Sequence, residues 1–194
     1  YAPLAGRLGM HEFKDELEDL SFQILNPSAY SSLMTRIEYL KKDKSNLTDK
    51  IKTRIFSLLQ KNEIDCQIIG REKKIFSVWN KMQNKQIAFR QLSDIFAYRI
   101  ITNSIEDCYS ILGIIHNRWS AVPGSFKDYI STPKINNYQS IHTTIVGPER
   151  QRVELQIRTN EMNTIADKGI AAHWSYKENY NLVDNSSSDP VNVT

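Results

Sequence analysis

Apolar residues recur at helical spacing through the first third of the chain. Residues 9–25 carry an apolar stripe along one predicted helix face, formed by Phe13, Leu17, Leu20 and Ile24. Pro27 is expected to end this helix and Ser28 to cap the next one, which continues to about Asn62. The stripe of the second helix is formed by Leu47, Ile51, Ile55 and Leu58. Residues 1–62 are therefore predicted to form a helical arm packed on the rest of the chain.

From residue 64 the apolar spacing changes, and short strands alternate with helices. Strands are predicted in "DCQIIG", "DIFAYRII", "QSIHTTIVG" and "RVELQIRT", and the turn-prone "GPER" should join the last two as a hairpin. Helices are predicted in "KKIFSVWNKM", "IEDCYSILGIIHNRW" and "EMNTIADKGIAAHW". This order predicts an α+β fold in which a mixed sheet is flanked by helices. Residues 63–178 are assigned to that domain and residues 179–194 to a disordered tail.

Composition narrows the class of protein. With 194 residues, 40% hydrophobic and 24% charged, the chain fits a soluble globular domain with a substantial core. The net charge of +3 is small, and its cations gather around a presumed cleft, which argues against a general nucleic-acid-binding domain. We expect no membrane span and no signal peptide, and two widely spaced cysteines, Cys66 and Cys108, fit a cytoplasmic protein. The start without Met predicts a piece of a longer protein.

The strand "VELQIRT" combines two faces of opposite character. Val153, Leu155 and Ile157 share one face, and the other face carries Glu154, Gln156 and Arg158. This pattern fits either a solvated outer face or a polar cleft in which Glu154 serves as a base or a metal ligand. Asp94, at the start of "DIFAYRII", either caps a turn or joins Glu154 in binding Mg²⁺ through oxygen ligands.

A cationic segment, "GREKKIFSVWNK", precedes the apolar strand. Lys73, Ser77 and Lys81 are four residues apart and share one predicted helix face. Arg71 precedes this helix, at an end where backbone N–H groups favour anions. Because the chain has no glycine-rich Walker loop, side chains would have to hold a triphosphate. The alternative is that this segment is an ordinary amphipathic surface helix with no binding role. Arg99, farther along the chain, fits either a salt bridge or a flat surface on which a base stacks.

The segment "DYISTPKINNYQSIHTTIV" places cations and aromatic residues just before a strand. Lys127 and Lys134 flank the loop, and Tyr138 either stacks on a nucleobase or is a buried structural residue. His142 faces the same side of its strand as Ser140 and Thr144, and fits a structural role as well as a catalytic one. Loops that carry such residues on a rigid scaffold are often binding sites.

The ordered motifs "GREKKIFSVWNKM", "DIFAYRII", "VPGSFKDYISTPKINNYQSIHTTIVGP", "VELQIRT" and "GIAAHWSYKE" resemble the synthetase domain of the RelA/SpoT alarmone enzymes, from about Gly70 to Glu178. The opening residues resemble the helical linker that joins the hydrolase and synthetase domains of two-domain members. The resemblance implies a nucleotidyltransferase-like fold and a GTP diphosphokinase. Such an enzyme transfers pyrophosphate from ATP to the 3′-hydroxyl of GDP or GTP and releases AMP. The hydrolase signature is absent, so no alarmone hydrolysis is expected.

The same resemblance implies roles for individual residues. Asp94 should bind Mg²⁺, and Glu154 should activate the 3′-hydroxyl and also count as a metal ligand. The ATP site is assigned to Arg71, Lys73, Ser77, Lys81 and Arg99. The guanine-nucleotide site is assigned to Lys127, Lys134, Asn136, Tyr138, His142 and Gln156, with Tyr138 stacked on the base. The family has "NGYQS" where this chain has "NNYQS", so Asn137 must tolerate a glycine position.

Two functions follow from this reading of the sequence. The first is an active synthetase in the cytoplasm that uses ATP and GDP or GTP, with regulatory domains lying outside this chain. The alternative is a catalytically silent nucleotide-binding regulatory fragment. The presence of both Asp94 and Glu154 favours the first.

Overall fold

The computed structural model describes residues 1–71, 74–85 and 96–168, apart from the side chains of residues 40–45, 85 and 168. Lys73, Asp94, the end of the last predicted helix and the predicted tail lie outside the described residues. Among the described helices, none combines the length and the apolar character needed to span a bilayer.

Six α-helices and five strands are the main elements of the described chain. The helices are α1 (Ala2–Arg7), α2 (His11–Leu25), α3 (Pro27–Lys61), α4 (Ile75–Lys85), α5 (Ile105–Arg118) and α6 (Asn160–Lys168). The strands are β1 (Cys66–Gly70), β2 (Phe96–Thr102), β3 (Lys127–Asp128), β4 (Ile141–Val146) and β5 (Arg152–Thr159). The sequence predicted all of these except α1 and β3, both of which are too short to show a period.

The strands form one mixed sheet in the order β1-β2-β5-β4-β3. The central strands β2 and β5 are parallel, and every other neighbouring pair is antiparallel. This confirms the predicted α+β fold with a mixed sheet. The parallel register places Tyr98 opposite Leu155 and Arg99 opposite Gln156.

One face of the sheet packs on α3 and α5. Leu155, Ile157 and Ile100 from the central strands form one apolar cluster with buried residues of the two helices, namely Ile51, Ile55, Leu59, Cys108, Ile111 and Ile115. The second half of α3 therefore contributes to the core of the sheet. The domain boundary at residue 62 stays a prediction, although the packing runs continuously across it.

The junction between α2 and α3 differs from the sequence prediction. Helix α2 ends at Leu25, and Pro27 is the first residue of α3, with Asn26 in the N-cap position. Proline is favoured at this first position because its fixed φ suits the helix and its missing N–H needs no partner there. Ser28 is therefore inside the helix and does not cap it.

A second apolar cluster joins α2, α3 and α4. Its buried members are Phe22 of α2, Leu33 of α3, and Ile75 and Val78 of α4. Phe22 also lies 5.4 Å from the ring of Trp79, measured between ring centroids. Helix α4 is thus held by α2 and α3 through its apolar face.

The hairpin between β4 and β5 contains a strained turn. Gln151 donates its backbone N–H to the carbonyl of Pro148, at 3.1 Å. The two residues between them, Glu149 and Arg150, have φ of 56° and 55°. Turns with two left-handed residues favour Asn-Gly, because other side chains crowd the backbone there.

We expect the double substitution Glu149→Asn and Arg150→Gly to stabilise the chain by about 1 kcal/mol, because it relieves left-handed strain at a small entropic cost. Urea unfolding would measure the change. The matched control replaces both residues with Ala, which removes the 3.3 Å Arg54–Glu149 ion pair and keeps both Cβ atoms. Equal stability of the Asn-Gly and Ala-Ala variants would contradict the prediction.

A second prediction concerns the part of α3 that shares the core. Ile55→Ala should lower the free energy of unfolding by about 2–5 kcal/mol, because Ile55 is fully buried against the sheet. Ile24→Ala on α2 is the control, since Ile24 is 78% exposed and should change stability by less than about 0.5 kcal/mol. A chain beginning at residue 63 that still unfolds cooperatively would show that α3 is dispensable.

Candidate active site

Polar side chains occupy the face of the sheet opposite the core. Residues paired across neighbouring strands point to the same side, and the register aligns one row across four strands: Lys127, His142, Gln156 and Arg99. Glu154 and Arg158 flank Gln156 on the same face of β5. Gln156 is 5% exposed and Arg158 2% exposed, so this is a covered polar face and not a solvated outer one.

Arg71 and Glu154 come together at the edge of this face. Arg71 directly follows β1, and its backbone N–H donates to the carbonyl of Ala97 on β2, at 2.8 Å. Its Nη1 lies 3.6 Å from Oε1 of Glu154. Both side chains keep part of their surface in solvent, 34% for Arg71 and 23% for Glu154. The predicted ATP-site arginine and the predicted base therefore form one accessible ion pair.

Arg99 points to α6. Its Nη1 lies 3.2 Å from Asp167 Oδ1 and 3.2 Å from Asn163 Oδ1. The structure therefore contains the salt bridge that the sequence left open for this arginine. Its assignment to the ATP site stays a prediction.

The start of α4 is already occupied by an anion of the chain itself. Asp19 of α2 accepts the backbone N–H of Phe76 at 2.7 Å and that of Ile75 at 3.4 Å. These are among the amides that the first turn of a helix leaves without partners. The backbone N–H groups at this helix end do bind an anion, as their position favours, and in this structure that anion is the Asp19 carboxylate.

The side chains of α4 divide as the sequence predicted. Ile75 and Val78 are buried, Ser77 is exposed and Lys81 is half-buried. The helix thus has an apolar face toward α2 and a polar face that includes two residues assigned to ATP. Their binding role stays a prediction.

The loop before β4 contains a tight turn that needs a left-handed residue. Asn137 donates its backbone N–H to the carbonyl of Lys134 at 2.8 Å, and Lys134 donates to the carbonyl of Tyr138 at 3.2 Å. Asn137 has a φ of 56°. Asparagine is among the residues that adopt this conformation most readily, which explains how it replaces glycine here.

Tyr138 lies at the centre of a cluster of aromatic and cationic groups. It is 8% exposed, and its hydroxyl lies 2.7 Å from Nε2 of His142. The Lys134 ammonium lies 4.9 Å from the centroid of its ring, and the Arg158 guanidinium carbon 5.7 Å. The structure therefore brings together Lys134, Tyr138 and His142, which the sequence assigned to one pocket. Tyr138 is buried as it stands, and its role in stacking stays a prediction.

The end of α1 and the start of α2 cover this cluster. The Asn136 amide nitrogen lies 3.3 Å from the Gly6 carbonyl and 3.1 Å from Nε2 of His11. The His11 ring meets the Tyr138 ring edge-on, with 5.4 Å between centroids. Sequence reasoning missed His11 and Asp19, because nothing local in the chain indicates which distant residues α2 will contact.

Burial sets the charge of the histidine in the pocket. Desolvation lowers the pKa of His142 from 6.5 to about 4, and the charges of Arg158, Lys134 and Arg71 act in the same direction, against Glu154. Burial likewise lowers the pKa of Arg158 to about 10, which leaves it protonated at neutral pH. The pocket therefore contains a neutral imidazole among cationic side chains.

The residues of this face fit a magnesium site built on few protein ligands. Within the described part of the chain, no group of three or more His, Cys, Asp or Glu residues is placed to hold a metal ion. Mg²⁺ usually needs only one or two carboxylates together with substrate phosphates. Glu154 supplies one partly exposed carboxylate, and Asp94 lies outside the described residues.

The sequence is similar to known proteins of one family. Residues 70–181 match the family described as a region found in RelA / SpoT proteins. The chain is 52% identical over 178 residues to "GTP pyrophosphokinase rsh" of Brucella melitensis. It is 43% identical over 178 residues to "Bifunctional (p)ppGpp synthase/hydrolase SpoT" of Escherichia coli. These matches cover 92% of this chain but 24% and 25% of the relatives, so the chain spans about a quarter of their length.

A solved structure shows the same fold. The small alarmone synthetase 1 from Bacillus subtilis, bound to its product pppGpp, superposes with a TM-score of 0.52 and 21% identity. The match covers 80% of this chain and 84% of that chain. Because the family match alone covers more than half of the sequence, the chain belongs to the RelA/SpoT family.

Proposed function

We propose that this chain transfers the β,γ-pyrophosphate of ATP to the 3′-hydroxyl of GDP or GTP, giving ppGpp or pppGpp and AMP. The observation that carries the proposal is the Arg71–Glu154 pair, at 3.6 Å, on the polar face of the sheet. The name of the Brucella relative, a GTP pyrophosphokinase, supports the same reaction.

Glu154 is the proposed base. The 3′-hydroxyl gives its proton to the carboxylate, and its oxygen forms a bond to the β-phosphorus of ATP. The bond between that phosphorus and the bridging oxygen of AMP breaks, and AMP leaves with the electron pair. Such transfers depend mainly on positioning and on neutralising charge. The ion pair with Arg71 supports this role because it fixes the carboxylate beside a cation assigned to the donor.

The two nucleotides are proposed to bind on either side of Glu154. ATP would be held by Arg71, Lys73, Ser77, Lys81 and Arg99. The guanine nucleotide would be held by Lys127, Lys134, Asn136, Tyr138, His142 and Gln156. The row that contains Lys127, His142 and Gln156 supports the second group, since these residues face one side of the sheet. A neutral His142 would act there by hydrogen bonding and not by charge.

Mg²⁺ is the proposed cofactor, with Glu154 and Asp94 as its protein ligands. When bound, the ion would neutralise charge on the transferring phosphates. A cytoplasmic location and regulation by further domains belong to the same proposal. The free thiols of Cys66 and Cys108 fit a reducing compartment.

A catalytically silent nucleotide-binding fragment is the second candidate. It is favoured by the burial of Tyr138, with His11 against its ring, and by the Asp19 carboxylate at the start of α4. In that case the chain would bind nucleotides without turning them over.

Incubation with labelled ATP, Mg²⁺ and either GDP or GTP tests the proposal. AMP and ppGpp or pppGpp are the expected products. If inorganic phosphate or pyrophosphate is the main product, the proposed reaction is wrong. Nucleotide binding without any product would favour the silent fragment.

Glu154→Gln keeps the size of the side chain but removes the base. We expect turnover to fall by about 10²–10⁴-fold, the usual contribution of a general base. The melting temperature should stay close to that of the parent, since Glu154 is partly exposed. Glu149→Gln is the control, because Glu149 is an exposed glutamate on the strained turn, and this variant should keep full turnover. Near-native turnover of Glu154→Gln would show that another group is the base.

The buried imidazole predicts a dependence of stability on pH. Because the pKa of His142 is about 4 in the folded chain, against 6.5 for an exposed histidine, the unfolded chain binds this proton first as pH falls. The contribution of His142 to the free energy of unfolding should be fully present above about pH 6.5. It should be lost as the pH falls toward 4, which lowers stability by at most about 3 kcal/mol.

The comparison of the parent with His142→Gln isolates that contribution. Unfolding of both by urea across pH 4–8 should give a flatter profile for the variant between pH 6.5 and 4. At pH 7–8 the difference between the two should be constant, because the imidazole is neutral in both states. Parallel profiles over the whole range would mean that His142 titrates normally in the folded chain.

A further inference from the structure

Arg158 is a buried cation whose hydrogen bonds are only partly satisfied. It lies on β5 and is 2% exposed, and its Nη2 donates to Oε1 of Gln156 at 2.7 Å. Its Nε and Nη1 have no hydrogen-bond partner in the described part of the chain. None of the ion pairs found among residues 1–71, 74–85 and 96–168 includes it.

This arrangement is hard to explain by stability. Burial of a cation that no carboxylate hydrogen-bonds costs free energy, and apolar residues of similar volume often stabilise a fold better. Lowering of its pKa to about 10 shows the same cost, although the group stays charged at neutral pH. Because its burial is unfavourable for stability, Arg158 is better explained by a role in the candidate active site.

The hydrogen bond and the cation–π contact of Arg158 are both made with residues of the proposed guanine-nucleotide pocket. Its guanidinium carbon lies 5.7 Å from the centroid of the Tyr138 ring, within the range of a cation–π contact. The Lys134 ammonium lies 4.9 Å from the same centroid, but Lys134 is exposed and can move aside. Arg158 is enclosed and cannot move aside in this way. An arriving base would therefore replace Lys134 over the ring, while Arg158 stays.

Arg158 also determines which side of the Gln156 amide is free. The guanidinium occupies Oε1 of Gln156. The amide therefore offers its NH₂ group, a donor, to anything that binds on this face. Oxygen acceptors of a guanine nucleotide, on the base, the ribose or a phosphate, fit such a donor.

We propose that Arg158 is a positioning residue of this pocket, which rests on the proposed function. It fixes the Tyr138 ring as a platform for the base and orients the Gln156 amide to donate to the nucleotide. The role concerns binding of the guanine nucleotide and leaves ATP binding to the other residues assigned to it, which include Arg71, Arg99 and side chains of α4.

Calorimetric titration with GDP, and separately with a non-hydrolysable ATP analogue, tests this role. Arg158→Met removes the charge and keeps an apolar side chain in the enclosed position. We expect GDP binding to weaken about 10-fold or more, from the lost cation–π contact and the lost charged hydrogen bond. Affinity for the ATP analogue should be unchanged, and the melting temperature should be equal or higher. Arg158→Lys, which keeps a charge over the ring, should restore part of the GDP affinity.

Arg152→Met is the matched control, because Arg152 is an exposed arginine on the same strand and should bind GDP as the parent does. A double-mutant cycle with Tyr138→Leu then tests the mechanism. If Arg158 acts partly through the ring, the loss caused by Arg158→Met should be smaller in the Tyr138→Leu background. Full additivity of the two losses would overturn the role of the ring.

Binding and turnover separate this inference from the proposed reaction. Selective loss of GDP affinity supports the inference even if the parent makes no (p)ppGpp, a result that would contradict only the reaction. Conversely, a parent that makes (p)ppGpp while Arg158→Met binds GDP normally would overturn the inference alone. Equal loss of GDP and ATP-analogue affinity, or no GDP binding by the parent, would also overturn it.

Discussion

The parallel pairing of β2 with β5 is the constraint on which both the core and the candidate site depend. It aligns Tyr98 with Leu155 on the face covered by α3 and α5, and Arg99 with Gln156 on the opposite face. Because side chains alternate along a strand, a shift of one residue would turn Arg158 into the apolar core. The register that stabilises the fold is thus also the register that assembles the polar row.

Helix α2 completes the polar side of the molecule. Asp19 in its middle binds the start of α4, and His11 at its beginning meets Tyr138 in the loop before β4. These two regions are assigned to different nucleotides. The segment that resembles a linker is therefore a wall of the candidate site, and it holds the α4 side and the loop side in a fixed relation. His142 lies buried on this side of the molecule, and its burial keeps the imidazole neutral.

The sequence predicted most elements because their periods are strong, and the mixed sheet followed from their order. It also predicted the two faces of β5 and the left-handed tolerance of Asn137, since both depend on local spacing and backbone preference. It could not distinguish a solvated polar face from a covered one, because that depends on α2 and the loop. For the same reason it missed the burial of Arg158 and the contacts of His11 and Asp19. The Asn26 cap was missed because Pro27 was read only as the end of a helix.

The position of β5 in the chain has a consequence for synthesis on the ribosome. Strand β2 can pair with β1 as soon as both have emerged, but its other edge waits for β5, which follows α5 and β4. During that interval a strand with six buried residues out of seven exposes an unpaired edge, the kind of surface that recruits other chains. The nascent chain also contains Arg71 long before Glu154. No shorter translation intermediate can therefore hold the Arg71–Glu154 pair, which forms only after β5 has been synthesised.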